Sequence, residues 1–412
     1  MSTDVNDSPS APTGRWTMLA LLCLAVVLSF STWFSAAAIA PELRRAWALS
    51  ESTAGWLTNG VQIGFVIGAI AASFLNLPDI IRMNRLMAAS AVLAAISNAI
   101  LLLEPGPVAA VIARGITGFA LAGVYPPALK LVSTWFMARR GLALAGVIGA
   151  ITAGSSLPHL FRGLSSSFAW ENVILLSSAA SLIAALGFAL FTREGPYPFG
   201  RAIFNPRQIG QVLKDRDLLL VNAGYFGHMW ELYAMWAWLL AYLSAALDKG
   251  GPTVSATAST LTFLAVISGV AGCFIGGLLS DRFGRTATTA GMMIVSALCA
   301  LSIGFVFHGP TWLLACVIIL WGISIIGDSA QFSAAVTELA DRNYVGTALS
   351  LQMGLGFALT ILMIWLMPHL AAFLGGWRWS FTILAIGPAF GTWAMLSLRR
   401  RPQAQKLAQG RR

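Results

Sequence analysis

The residues with the clearest chemical capacity lie in one long apolar run near 217–247. This run carries His228 and Glu231, which are one helical turn apart and share a face with Gly224 and Gly227. An ionised side chain at the centre of a membrane-spanning helix costs at least ~2.5 kcal/mol, so it normally faces a cavity or a partner. An imidazole beside a carboxylate can pass a proton between them. This face therefore predicts the wall of a pathway through a membrane.

Two other apolar runs also contain an ionisable residue. Asp328 lies in the run near 311–337, and Arg114 is the one basic residue well inside an apolar run rather than near its end. We predict proton coupling by Glu231, His228, Asp328 and Arg114. A structural alternative stays open for the last two: Asp328 as a protonated interhelical hydrogen bond, and Arg114 bonded to carbonyl groups or directed toward the membrane surface.

Polar and aromatic residues on the same helical faces are candidates for lining a substrate cavity. In ordinary packing such side chains also join helices, so each candidate taken alone has a structural alternative. The candidate cavity residues are Trp238, Tyr242, Trp321, Ser324, Gln331, Asn59 and Gln62.

Composition indicates a membrane protein with many spans. Of the 412 residues, 57% are hydrophobic and 10% are charged, which is not the composition of a soluble domain of this length. The four cysteines lie in apolar runs without metal-ligand spacing and are interpreted as small core residues. No nucleophile–base pair, metal cluster or phosphate-binding loop is visible in the sequence. We therefore predict no enzyme activity, no metal and no cofactor.

Hydropathy predicts twelve spans, six on each side of a longer polar connection. The predicted organisation is a tail at 1–15, a six-helix bundle at 16–191, a linker at 192–216, a second bundle at 217–398 and a basic tail at 399–412. The predicted spans lie near 16–40, 53–77, 85–103, 108–136, 141–161, 171–191, 217–247, 253–279, 286–307, 311–337, 343–371 and 377–398.

The basic residues predict the orientation. If both termini are cytoplasmic, 20 of the 26 Lys and Arg residues face the cytoplasm, five face outward, and Arg114 lies within a span. Such a bias is the positive-inside signal. The net charge of +10 thus indicates topology rather than nucleic-acid binding, and anionic headgroups are the expected neighbours of the basic C-terminal tail.

The two halves repeat weakly in the same direction. Gly141 and Gly346 open the fifth and eleventh spans 205 residues apart, and Trp170 and Trp377 open the sixth and twelfth 207 apart. Parallel repeats of this kind place a substrate site near the membrane midplane, between the halves.

The sharpest motif follows the eighth span and reads Gly277-Leu-Leu-Ser-Asp281-Arg282-Phe-Gly284-Arg285; we call residues 277–285 the gating loop. It resembles the loop signature of the major facilitator superfamily, Gly-x-Leu-x-Asp-Arg-x-Gly-Arg. Its first-half counterpart keeps Asp79 but has lost both glycines. A weaker likeness is Arg114-Gly-Ile-Thr-Gly118, which is similar to the family's Arg-x-x-x-Gly pattern.

The resemblance covers the whole chain and implies an all-α membrane protein with twelve transmembrane helices in two pseudo-symmetric six-helix bundles. It implies a monomer in the bacterial inner membrane, with the gating loop as a latch for the inward-closed state. The expected function is secondary active transport of a small organic solute by alternating access, driven by protons. The alternative of the same fold is an uncoupled facilitator or an anion exchanger, in which Arg114 would attract the substrate. A sensor without transport is a third possibility, but no segment is long enough for an output domain.

The charge pattern makes the topology testable. Single cysteines placed near Lys249 and Arg378 should react from outside with a membrane-impermeant thiol reagent, because both positions lie at the predicted outer ends of spans. A cysteine in the linker at 192–216 is the matched control and should react only after permeabilisation. The opposite pattern would overturn the orientation.

Overall fold

The computed structural model describes residues 12–75, 80–137, 140–164, 169–197, 206–247, 256–341 and 343–412. Within these residues the fold is helical throughout, without strands. Parts of the predicted N-terminal tail (1–11) and of the predicted linker (198–205) lie outside the described residues.

Among the residues that the structure describes, nine helices precede the linker. They are α1 (Arg15–Phe30), α2 (Ser35–Ala38), α3 (Ala40–Ala46), α4 (Glu51–Phe74), α5 (Met83–Ala99), α6 (Pro107–Ala122), α7 (Tyr125–Ser133), α8 (Arg140–Gly163) and α9 (Trp170–Phe191). A 3₁₀ turn, Ile100–Leu103, extends α5.

Eight helices follow, counted over the described residues. They are α10 (Ile209–Lys214), α11 (Arg216–Leu247), α12 (Ala256–Phe283), α13 (Arg285–Ser302), α14 (Thr311–Gly327), α15 (Ser329–Leu339), α16 (Val345–Phe373) and α17 (Ile386–Arg399). Further 3₁₀ segments are Pro206–Gln208, Ile303–Phe305, Ser380–Ala385 and Pro402–Gly410.

Ten helical stretches of the described chain are long and apolar enough to cross a membrane. The remaining two predicted spans correspond to α1, which is 16 residues long, and to α11, which is 32 residues long and carries the polar residues of the candidate site. Large apolar side chains such as Ile96, Ile112 and Leu186 point outward, whereas the polar side chains of the spans are mostly buried. This distribution suits a lipid environment.

Three predicted spans are interrupted in the structure. The first breaks at residues 31–34 between α1 and α2, the fourth at residues 123–124 between α6 and α7, and the tenth at Asp328 between α14 and α15. Prolines at the second and third positions of α7 fit a helix start, where a backbone N–H is dispensable. The breaks expose backbone groups that need partners from other helices.

Glycines hold two helix pairs in close contact. In the first half, a Cβ atom on Gly64 of α4 would overlap the backbone of Gly115 in α6. In the second half, a Cβ atom on Gly276 of α12 would overlap the carbonyl oxygen of Gly327 in α14. The pairs α4–α6 and α12–α14 occupy equivalent places in the two halves, so the parallel repeat extends to packing.

The halves touch each other mainly through α4 with α16 and α8 with α12. The side chain of Asn59 donates to the carbonyl of Ile361 across the first of these contacts, at 3.2 Å. The ring of Trp238 lies against Gly55 near the same end of the bundle.

The C-terminal segment, residues 402–412, folds back beneath the second half. The carbonyl of Arg412 accepts from the backbone N–H and the hydroxyl of Thr286, at 3.3 and 3.0 Å. The N–H of Ala408 donates to Glu338 at 3.0 Å. Leu407 is fully buried, so the segment is packed against the bundle.

The glycine contact in the first half gives a stability prediction. Gly64→Ala should lower the melting temperature of the purified protein by several degrees, since its methyl group meets rigid backbone and overpacking costs about 1–3 kcal/mol. Gly115→Ala is the matched control, because a Cβ atom there has its nearest neighbour at 3.7 Å. It should leave the melting temperature unchanged or slightly higher. Equal melting temperatures of the two variants would contradict the close contact.

Candidate functional site

Glu231 lies in the interior of the second half, where its side chain is almost completely buried. Its Oε1 atom accepts hydrogen bonds from the hydroxyl of Ser296 on α13, at 2.7 Å, and from the indole N–H of Trp321 on α14, at 2.6 Å. Both donors are neutral. The carboxyl group therefore has hydrogen bonds but no lysine or arginine partner among the described residues.

His228 lies beside Asp328, which occupies the break between α14 and α15. His228 Nδ1 and Asp328 Oδ1 are 2.9 Å apart, and both side chains are buried. Asp328 Oδ1 is nevertheless without a hydrogen bond of good geometry in the described chain, so the contact is a close approach of the two side chains rather than an aligned hydrogen bond. His228 Nε2 also finds no partner there.

The structure brings three of the four predicted proton-coupling residues together. Glu231 and Asp328 are near enough to interact electrostatically, and Asp328 contacts His228; we call these three residues the ionisable cluster. The sequence predicted an interaction of His228 with Glu231 along α11. In the structure the close neighbour of His228 is Asp328, which lies on another segment. A helix face read from the sequence does not show which other helix packs against it.

Arg114 lies apart from this cluster, in the interior of the first half. It is fully buried. Nη1 donates to Asn98 Oδ1 at 2.6 Å, and Nη2 donates to the carbonyls of Thr32 and Trp33, each at 2.7 Å. These carbonyls belong to the break between α1 and α2. The contacts are those expected of the structural alternative, and the partners that the structure shows for the guanidinium group are neutral.

The predicted cavity residues are distributed over several places. Trp321 donates to Glu231, and the Ser324 hydroxyl donates to the Trp321 carbonyl at 3.1 Å. Trp238 Nε1 donates to the carbonyl of Ile364 at 2.9 Å. The hydroxyl of Tyr242 donates to the backbone carbonyl of Arg378 at 3.2 Å. The polar atoms of these four side chains are thus occupied by bonds within the second half.

The two remaining candidates, Asn59 and Gln62, lie on α4. Asn59 uses its amide nitrogen to reach Ile361, but its Oδ1 atom has no hydrogen-bond partner in the described chain. Both side-chain polar atoms of Gln62 also lack a partner there, although the residue is fully buried. Unpaired buried amide groups are costly, which marks these positions as candidates for contact with a ligand or water.

Aromatic rings from both halves meet between these elements. Trp33 lies 5.9 Å from Tyr233 and 6.3 Å from Phe357, measured between ring centroids, and Phe65 lies 4.6 Å from Phe357. We call Trp33, Phe65, Tyr125, Tyr225, Tyr233 and Phe357 the interface aromatic cluster. Sequence reasoning did not single out these residues as a site. Trp236 is also buried, with its ring 6.1 Å from that of Phe34 in the other half. A usable signal was that Trp33 and Tyr233 are 200 residues apart, close to the repeat offset.

The gating loop is mostly helical. Residues up to Phe283 belong to α12 and Arg285 opens α13, so Gly284 alone forms the turn, with a φ of 89° that favours glycine. Arg285 pairs with Glu338 through two bonds of 2.5 and 2.7 Å. It also donates to Gln331 Oε1 at 2.7 Å, so this predicted cavity residue contacts the loop.

The other members of the loop are more open. Asp281 and Arg282 are exposed, and a Cβ atom on Gly277 would meet nothing within 4 Å. Asp79, the predicted counterpart of Asp281, lies outside the described residues. Among those described, no group of three His, Cys, Asp or Glu side chains could hold a metal ion.

Comparison with known proteins decides the family. The model of the Major Facilitator Superfamily matches residues 21–363. The chain belongs to the major facilitator superfamily. The predicted fold class, an all-α membrane protein of this superfamily, is thereby confirmed.

The chain is similar in sequence to transporters of different small solutes. A probable sulfoacetate transporter of Cupriavidus necator is 24% identical over 65% of this chain and 65% of its own length. A gentisate transporter of Corynebacterium glutamicum is 24% identical over 86% of this chain and 80% of its own length. The chain thus spans slightly less than two thirds of the first relative.

A solved structure supports the fold independently. A bacterial homologue of the human lysosomal transporter Spinster, crystallised in an inward-facing and unoccupied conformation, superimposes with a TM-score of 0.72. The likeness covers 95% of this chain and 100% of the other at 16% identity, so it concerns the fold alone.

The bonds of Arg114 generate a prediction. Arg114→Lys keeps the charge but cannot reach Asn98 and two carbonyls at once, since an ammonium group lacks the planar fork. Unpaired buried carbonyls cost about 1–3 kcal/mol each, so the melting temperature should fall by several degrees. Arg378→Lys, at an arginine that makes one bond of 3.1 Å to the Gly304 carbonyl, is the control and should have a smaller effect. A normal melting temperature for Arg114→Lys would contradict a structural role.

Proposed function

We propose that this protein is a secondary active transporter that moves a small organic solute by alternating access and couples this movement to protons. Membership of the superfamily supports the transporter part of the proposal. The sulfoacetate and gentisate relatives support a small organic solute. The coupling part is supported by the ionisable cluster.

The surroundings of Glu231 are the main support for proton coupling. A buried carboxyl group without a permanent cation can exist in charged and neutral forms. Protonation at Oε2 leaves both hydrogen bonds at Oε1 intact, because the Trp321 indole donates in either state and the Ser296 hydroxyl can rotate. Glu231 can therefore change its charge without a change in its contacts.

His228 and Asp328 provide a second proton position close by. The free Nε2 atom of His228 can bind or release a proton while Nδ1 faces the carboxylate of Asp328. Arg114 is assigned a supporting role in this proposal, since its Nη2 atom bonds to the carbonyls at the break in the first span and its Nη1 atom bonds to Asn98.

The proposed setting is the bacterial inner membrane, with both termini in the cytoplasm and anionic headgroups near Arg399–Arg401. The protein acts as a monomer in this proposal. The gating loop lies at the cytoplasmic side, and exposed Asp281 is the group that would engage the other half in the inward-closed state.

Glu231→Gln tests the coupling. The amide keeps an acceptor for Ser296 and Trp321 but holds the site neutral, so accumulation driven by a proton gradient should be lost while exchange between equal pools persists. Uptake would be measured in proteoliposomes with a solute found by thermal-shift screening of metabolites, because ligands of the folded state raise the melting temperature. Glu104→Gln, at an exposed position, is the matched control.

The outcomes separate the alternatives. Normal pH-dependent accumulation by Glu231→Gln would show that Glu231 is a packing residue, and the coupling role would pass to Asp328. Transport by the unmodified protein that ignores the proton gradient would instead support an uncoupled facilitator or an anion exchanger.

A further inference from the structure

The interface aromatic cluster is built from both halves. Trp33 on the break of the first span, Phe65 on α4 and Tyr125 on α7 come from the first half. Tyr225 and Tyr233 on α11 and Phe357 on α16 come from the second. The ring centroids of Phe65 and Tyr125 are 6.3 Å apart, those of Trp33 and Phe65 5.1 Å, and those of Tyr233 and Phe357 5.4 Å. The rings of Trp33, Phe65, Tyr125, Tyr233 and Phe357 form one continuous set of contacts, most of them tilted or edge-on. This set crosses the boundary at which a parallel repeat places its substrate.

Buried hydrogen-bonding groups without partners lie within or next to the interface aromatic cluster. Trp33 Nε1 and both side-chain polar atoms of Gln62 have no hydrogen-bond partner in the described chain, and both residues are at most 2% exposed. Gln62 lies one turn before Phe65 on α4, and the Phe65 ring contacts that of Trp33. Buried polar groups in folded proteins are nearly always paired. Two of these unpaired groups are donors, Trp33 Nε1 and the Gln62 amide nitrogen, and one is an acceptor, Gln62 Oε1. A ligand that carries oxygen acceptors beside these rings would satisfy the two donors.

Hydroxyl groups add to the same region. The Tyr125 ring lies 6.3 Å from that of Phe65, and the Tyr233 ring lies 5.4 Å from that of Phe357, so both phenol groups belong to the same set of rings. Hydroxyl groups donate and accept, so they suit a ligand with oxygen substituents better than one with a plain hydrocarbon ring.

Charge distinguishes between two kinds of aromatic ligand. Stacked rings also bind organic cations. Here, however, Nη2 of Arg114 lies 2.7 Å from the Trp33 carbonyl, and the partners that the structure shows for Arg114 are neutral. A positive charge behind Trp33 and unpaired donors at Trp33 and Gln62 both favour an anion.

We propose that the interface aromatic cluster binds a planar aromatic acid. Its ring lies among the aromatic side chains of the two halves, and its oxygen atoms accept hydrogen bonds from Trp33 Nε1 and the Gln62 amide. This inference rests on the proposed function, because it takes the ligand to be the transported solute. It names the chemical class of that solute.

Binding to the purified full-length protein tests the proposal with three probes at neutral pH. Benzoate and cyclohexanecarboxylate carry the same carboxylate on a flat and a puckered ring, and phenyltrimethylammonium carries a cation on a flat ring. Isothermal titration should give a Kd for benzoate at least about tenfold lower than for the other two, since aromatic pairing adds to burial. Equal affinity for the two acids, tighter binding of the cation, or no binding of benzoate would overturn the substrate class. None of these results bears on transport of another solute, which the uptake assay measures separately.

Variants locate the site. Phe65→Leu should weaken benzoate binding about tenfold, because it removes a ring that contacts both Trp33 and Phe357. Phe381→Leu is the matched control: Phe381 is fully buried but stacks on Tyr242, 4.6 Å away in the second half, so benzoate affinity should be unchanged. Gln62→Leu should weaken benzoate and leave the low affinity for phenyltrimethylammonium unchanged.

Melting temperatures control for loss of fold. If Phe65→Leu unfolds, Phe357→Leu replaces it at the ring on the other side of the same contact. Benzoate affinity that survives every change within the cluster but falls in Phe381→Leu would place the ligand elsewhere and refute the assignment.

Discussion

The first span breaks at residues 31–34, and the bonds of Arg114 to the carbonyls of Thr32 and Trp33 make that break tolerable within a membrane. Lipid offers no hydrogen bonds, so irregular backbone at this depth needs protein partners. Arg114 is itself acceptable there because Asn98 and the two carbonyls accept hydrogen bonds from its Nη1 and Nη2 atoms. The position of Trp33, and with it the aromatic contact between the halves, depends on this set of bonds.

The two halves use different chemistry at equivalent places. In the first half a cation on the fourth span bonds to backbone of the first span and to Asn98 on the third. In the second half, Trp321 on the tenth span and Ser296 on the ninth bond to Glu231 on the seventh. Each of these two hydrogen-bonded groups joins the first, third and fourth spans of its own half. A cation with neutral partners is fixed in charge, whereas a carboxyl group with neutral donors can titrate; the second half is therefore the chemically adaptable one.

Sequence predicted the fold class well because lipid imposes long apolar helices and a charge bias that can be read residue by residue. It also singled out Glu231, His228 and Asp328, since an ionisable residue in an apolar run is conspicuous. The contacts of the candidate residues were not predictable, because they depend on how separate helices pack. Examples are the contact of Asp328 with His228 and that of Gln331 with Arg285. The aromatic cluster was missed for a related reason. Among 15 Trp and 23 Phe residues, most fill space, and hydropathy does not show which ones face the other half.

The C-terminal segment joins helix ends that are far apart in sequence. Arg401 pairs with Asp217 at the start of α11, Ala408 bonds to Glu338 at the end of α15, and Arg412 bonds to Thr286 at the start of α13. Gly284 has no room for a side chain beneath the backbone of Arg411 and Arg412. The C-terminal segment thus holds the ends of these three helices together. A displacement of the turn at Gly284 would therefore also strain the contacts of this segment with Glu338 and Asp217.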